Sequence, residues 1–141
     1  MSPEEITPLL MRHVEAENAH DMARTLATLH PDCVFEDVAT GKIYRGHAGA
    51  AEYYRGWWDA FGLQFRRGDD GARYITTDGA VVAEGHFCGR HIGIFNGIEA
   101  TGREIDFRFI VVVSFRDGLM AGERFYYDRR SLEQQLLGGN A

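Results

Sequence analysis

Residues 103–128 read REIDFRFIVVVSFRDGLMAGERFYYD, and their patterning decides the fold. The first half is a long run of β-branched and aromatic residues, Asp117-Gly118 is a turn dipeptide, and the second half returns as a strand rich in aromatic rings. Such side chains suit a pleated surface, and Asp-Gly supplies the left-handed backbone of a tight turn, so the segment reads as a long antiparallel hairpin. Just upstream, ARYITTDGAVVAEGHFCGRH adds another hairpin with its turn at Asp78-Gly79. Between the two hairpins, RHIGIFNGIEATGRE (residues 90–104) is broken by His91, Gly93, Asn96, Gly97, Thr101 and Gly102, residue types of turns and of sites. It reads either as a long connection or as the mouth of a pocket.

The N-terminal third is helical. Ser2 caps, Pro3 suits the first helical position, and Glu5 three residues after Ser2 completes a capping box. Ile6, Leu9, Leu10 and Val14 recur at helical spacing, then Met22, Leu26 and Leu29 do so before His30-Pro31 stops the run, giving two helices or one bent near residues 18–21. CVFEDV alternates, Val34 and Glu36 against Phe35 and Asp37, as a half-buried strand does, and the Thr40-Gly41 turn leads into KIYR. From His47 to Phe61 a third helix carries Tyr53, Tyr54, Trp57, Trp58 and Phe61, with Gly62 at its end; a short helix over Ser131 to Leu137 closes the chain. Helices followed by an antiparallel sheet, with no repeats or linkers, make an α+β fold in a single domain spanning 1–141.

Composition narrows the function. The 141 residues, 45% hydrophobic and 12% aromatic, suffice for one core. The formal charge of −6 without a basic run excludes nucleic acid as the expected partner, and Arg66-Arg67, followed by Asp69-Asp70, reads as solvated surface. No apolar run approaches the ~18 residues of a membrane helix, and MSPEEITPLL has no signal-like core, so a cytoplasmic protein is expected. Cys33 and Cys88 read as buried, inert thiols. No metal and no cofactor are expected: His86 and His91 lack a third ligand at metal spacing, and there is no Walker loop, dinucleotide fingerprint or serine elbow.

Asp128 is the first candidate for chemistry. A carboxylate just past an aromatic strand, held in a dry cavity, would have its pKa raised toward general-base duty; otherwise it caps the last helix. A two-residue turn at Asp117-Gly118 would place Phe107 opposite Asp128, and a three-residue turn would place Asp106 there. His91 is the second candidate, as a carbonyl-polarising imidazole or as a ring that only bonds the turn after it. Asp37, Tyr44 and Trp57 are placed to line the same cavity, or to serve as core. Arg124 needs solvent or a carboxylate, for which Asp106, Glu84 and Asp128 are available.

The run His91-x-Gly93-x-Phe95-x-Gly97, then Ala100-Thr101-Gly102-Arg103, Phe115-x-Asp117-Gly118, Glu123-Arg124-x-Tyr126-Tyr127-Asp128 and Gln135-Leu136, resembles the SnoaL-like polyketide cyclases of the nuclear transport factor 2-like superfamily. The N-terminal helices, YRGHAGAAEYYR and Ala60-Phe61 fit the same layout, and Arg124 departs from it where many members carry tryptophan. The resemblance implies a cone-shaped fold, a curved antiparallel sheet around helices and a deep pocket, commonly paired as a homodimer through the sheets. It implies intramolecular aldol chemistry without metal or cofactor, Asp128 matching the family's acid/base aspartate and His91 its motif histidine. The resulting expectation is a cyclase or isomerase acting on a small apolar carbonyl compound. Asp128 would take the proton α to the carbonyl, and His91, Tyr126 or a second acid would serve the enolate. The alternative is a non-catalytic ligand-binding or assembly domain of the same fold.

Overall fold

The computed structural model describes residues 1–66, 73–75 and 79–138. Arg67, Asp69, Asp70 and Asp78 of the sequence reading, with most of the Asp78-Gly79 turn, lie outside the described residues. The helices are α1 (Pro3–Asn18), α2 (Met22–Ala27), α3 (Gly46–Phe61) and α4 (Arg129–Leu136). The strands are β1 (Leu29–Asp37), β2 (Lys42–Arg45), β3 (Gln64–Arg66), β4 (Arg73–Ile75), β5 (Val81–Arg90), β6 (Glu104–Arg116) and β7 (Leu119–Tyr127). They form one curved sheet, ordered β2-β1-β7-β6-β5-β3 with β4 also on β5, wrapped as a cone about the helices. None of the described helices is long and apolar enough to cross a membrane.

The local chemistry explains each boundary. The Ser2 N–H donates to the Glu5 carboxylate at 2.9 Å, closing the first turn of α1. Asp21 caps α2 by accepting from the Arg24 N–H at 3.1 Å, so the segment is two helices rather than one bent helix. The second ends earlier than its apolar spacing suggested. Leu29 opens β1 instead, opposite Met120, because pairing with β7 satisfies its backbone and buries its side chain to 1% exposure.

α3 ends at Gly62, whose φ of 56° is the left-handed cap conformation. Its inner face, with Tyr53, Tyr54, Trp57 and Phe61, joins Phe35, Phe87, Phe107, Phe109 and Phe125 in the core.

The sheet is not wholly antiparallel. β1 runs parallel to β7, with Val34 opposite Gly122 and Asp37 opposite Phe125. A Cβ at Gly122 would collide with the Val34 backbone, so only glycine lets these strands approach.

Arg116 pairs with Leu119 across the two-residue turn, but a bulge near Ala121 then shifts the register until Phe109 faces Tyr127. Asp128 therefore lies beyond the last pair and faces neither Phe107 nor Asp106, whose strand partners on β5 are Phe87 and Cys88. Cys33 is fully buried, whereas Cys88 is only half-buried, since its position alternates to the outer face of β5.

Candidate active site

Alternation along β7 sends Phe125 inward, and Glu123, two residues earlier, faces inward with it. Across from it, α1 buries Ile6, Leu9, His13 and Ala16, one face at helical spacing. Between α1 and the inner faces of β5, β6 and β7 lies a cavity of about 310 Å³, walled by Val14, Phe87, Phe109, Val111 and Phe125. His13, Glu17 and Glu123 stand together on this wall, and Tyr54 reaches them from α3.

The hydrogen bonds fix the roles within this cluster. Thr28 Oγ1 donates to the Thr25 carbonyl at 2.6 Å, so it must accept from His13 Nδ1, which lies 2.8 Å away. The proton on Nδ1 is thereby held, and Nε2 is the nitrogen that gains or loses one. Nε2 lies 3.2 Å from Glu17 Oε2, 3.1 Å from the Tyr54 hydroxyl and 4.0 Å from Glu123 Oε1. Neutral His13 accepts there from Tyr54; protonated, it donates to Glu17.

Burial would lower the His13 pKa, but the Glu17 hydrogen bond and the charges of Glu17 and Glu123 outweigh it and hold it above 6.5. Burial pushes Glu123 up from its ordinary 4.5 to about 7; His13 opposes the rise and Glu17 adds to it. The Glu123 side chain is 16% exposed, so it is shielded from bulk water yet open to the cavity. Tyr54 is raised well above 10 by burial, reinforced by the Glu123 and Glu17 charges, and remains a donor at neutral pH. A carboxyl group that ionises near neutrality, beside an imidazole and a phenol in an apolar cavity, is equipped to move a proton.

The residues singled out from sequence fall in three places. Asp37, Tyr44 and Trp57 do come together, but on a separate cavity of about 500 Å³ whose lining shares no residue with the first. Asp106, Arg124 and Tyr126 are exposed on the outer face of the sheet, away from both cavities. Strand alternation puts them there. Asp106 pairs with Arg66 at 2.7 Å and His86 at 2.9 Å, while Arg124 Nε reaches the Tyr126 hydroxyl at 3.4 Å and none of the expected carboxylates.

Asp128 and His91 form the third group; neither lines the two cavities, and the buried Nε2 of His91 has no hydrogen-bond partner among the described residues. Asp128 is exposed and accepts from the Ser131 N–H at 3.0 Å as the cap of α4, so no dry cavity surrounds it. Asp128→Ala is expected to cost ~1 kcal/mol of stability, as a lost cap does, and urea melts check it. His91 is fully buried, and its Nδ1 accepts from the Thr101 N–H at 3.1 Å. Its backbone N–H donates to Arg103 and its carbonyl accepts from Gly102, closing the loop of residues 91–102. The loop turns back at Asn96-Gly97, both with positive φ, and lays Ile94, Phe95 and Asn96 along the second cavity. It is thus both a pinned connection and the edge of a pocket.

Comparison with known proteins gives a consistent picture. The family described as SnoaL-like polyketide cyclase matches residues 8–136. Among curated proteins, none matches the chain. Of solved structures, TsrD from Streptomyces laurentii is 27% identical with a TM-score of 0.81, over 99% of each chain. A candidate polyketide cyclase from Xanthomonas campestris pv. campestris is 24% identical with a TM-score of 0.82, over 94% of this chain and 97% of that one. AclR, a candidate hydroxylase from Streptomyces galilaeus, is 22% identical with a TM-score of 0.80, over 97% of this chain and 83% of that one.

Proposed function

The chain belongs to the SnoaL-like polyketide cyclase family, and on that premise we propose that it is an acid/base enzyme acting on a small apolar carbonyl compound, of cyclase or isomerase type. One observation carries the reading: Glu123, with its carboxyl held near pH 7, faces an apolar cavity beside His13 and Tyr54. Glu123 replaces Asp128 as the base. Its carboxylate removes a proton from the carbon next to a carbonyl, and the electron pair of that C–H bond passes to the carbonyl oxygen as an enolate. Protonated His13 or the Tyr54 hydroxyl donates to that oxygen. In a cyclisation the enolate carbon then bonds to a second carbonyl carbon of the same molecule, whose oxygen takes up the proton. In an isomerisation the proton returns to a different carbon. These steps need only a carboxyl group, an imidazole and a phenol, in keeping with chemistry that requires no metal or cofactor.

The test uses 2-tetralone, an apolar ketone with acidic α-protons, in deuterated buffer near neutral pH. The protein is expected to speed exchange of those protons well above the buffer rate, followed by NMR. No acceleration with this ketone or with larger polycyclic ones, despite saturable binding, would favour the ligand-binding reading. We further infer that two copies pair through the outer sheet face, where Ile110 and Tyr126 are exposed cross-strand neighbours. Light scattering should then report twice the chain mass.

A further inference from the structure

The second cavity has its own chemistry, independent of Glu123. It lies between the β1–β2 hairpin, α3 and the loop edge at Phe95 and Asn96. Tyr53 and Trp57 line both it and a smaller cavity that Glu123 also lines, so these two rings form the partition between the two halves of the interior.

At its inner end sits Asp37, 4% exposed. One carboxylate oxygen accepts from the Tyr53 hydroxyl at 2.9 Å and the Tyr127 hydroxyl at 3.1 Å, and the other accepts from the Thr40 N–H at 3.0 Å. Among the described residues no cation pairs with it. Arg129, on the same cavity, lies 3.0 Å from Glu133 with its buried Nε making no hydrogen bond among the described residues, and Lys42 and Glu52 are exposed and of opposite charge. At hydrogen-bond distance the Asp37 carboxylate is therefore met only by neutral donors, which solvate its charge without cancelling it.

The walls are aromatic. Tyr44 stacks on Tyr53 at 4.6 Å between centroids, and Trp57 packs at 5.4 Å from both Phe95 and Tyr127. A ring presents a negative face, and a phenol that donates its proton to a carboxylate becomes richer in electrons still. Both tyrosines stay protonated, because burial and the charge of Asp37 raise their pKa values.

We propose that this cavity binds a small organic cation, a protonated amine or quaternary ammonium head, with Asp37 supplying the charge and Tyr44, Trp57, Phe95 and Tyr127 the aromatic walls. An anion would meet Asp37 at the inner end with the two nearest hydroxyls already committed to it. A neutral apolar ligand would leave the charge as it stands. Only a cation gains from both the carboxylate and the ring faces.

The probe is tetramethylammonium chloride, titrated into the full chain while the indole N–H signals of Trp57 and Trp58 are followed by NMR. Sodium chloride at equal ionic strength, tert-butanol and sodium acetate are the controls. A saturable shift at Trp57 with millimolar affinity is expected for tetramethylammonium. Asp37→Asn should weaken it at least tenfold, and Glu123→Gln should leave it unchanged. Should Asp37→Asn fail to fold, Tyr44→Leu serves instead and should weaken binding severalfold. Absence of a saturable shift, an equal response to tert-butanol, preference for acetate, or undiminished binding in these variants would overturn the proposal.

Discussion

Glu123→Gln is expected to slow ketone α-proton exchange by about 10³-fold while leaving ketone affinity within a few fold, since a positioned general base contributes roughly 10²–10⁴. The amide keeps the size of the side chain and most of its hydrogen-bonding capacity but cannot take a proton. The pH dependence should carry the same signature. Activity should rise as Glu123 ionises near pH 7, and a falling limb should appear where His13, its pKa raised by Glu17 and Glu123, loses the proton that serves the enolate. Because the two groups lie 4.0 Å apart, the two limbs belong to the pair rather than to either residue. In Glu123→Gln the rising limb should vanish. Wild-type exchange rates in that variant, with loss of activity in Asp128→Ala instead, would return the base to Asp128.

Gly122→Val is expected to destabilise the fold by about 3 kcal/mol or more, the upper range for forcing atoms into a packed interior. The obstacle is backbone. The carbonyl, carbon and nitrogen of Val34 stand where a Cβ would go, and no side-chain rotation relieves that contact. Parting β1 from β7 would also displace Asp37 and Glu123, which lie on those two strands. Urea denaturation reads the loss, and a midpoint within error of wild type would mean that the close parallel pairing is not needed.

Much of the architecture was legible because its signals are local. The Ser2-to-Glu5 capping box, the left-handed Gly62 and the Asp117-Gly118 hairpin each need only a few neighbouring residues. What escaped was set by contacts distant in the chain. The spacing of Leu29 fits a helix, and only Met120, opposite it, makes it a strand residue. The bulge near Ala121 is hidden because it is set by pairing with β6 across the hairpin and not by the residues next to it.

Asp128 stands apart from the Glu123 cluster for a related reason. Asp128 follows an aromatic strand in sequence, yet the strand ends before it and the backbone turns outward into α4. The signal for the observed cluster was present. Glu123 shares the face of Phe125, and His13 shares the face of Leu9, two polar residues on apolar stripes. Nothing in the spacing said that helix and strand would face each other across one cavity. Asp37, Tyr44 and Trp57 line one cavity, and Tyr53 and Trp57 stand between Asp37 and Glu123.

Proton transfer by Glu123 depends on its ionisation, and a carboxyl-detected NMR titration measures it, with Glu123→Gln identifying the signal. A midpoint at about 7 is expected, moving toward 4.5 as the cavity is opened to water by Phe125→Ala. A midpoint in wild-type protein at the ordinary carboxylate value would mean that Glu123 is solvated and already ionised far below neutrality, and would contradict its role as the base.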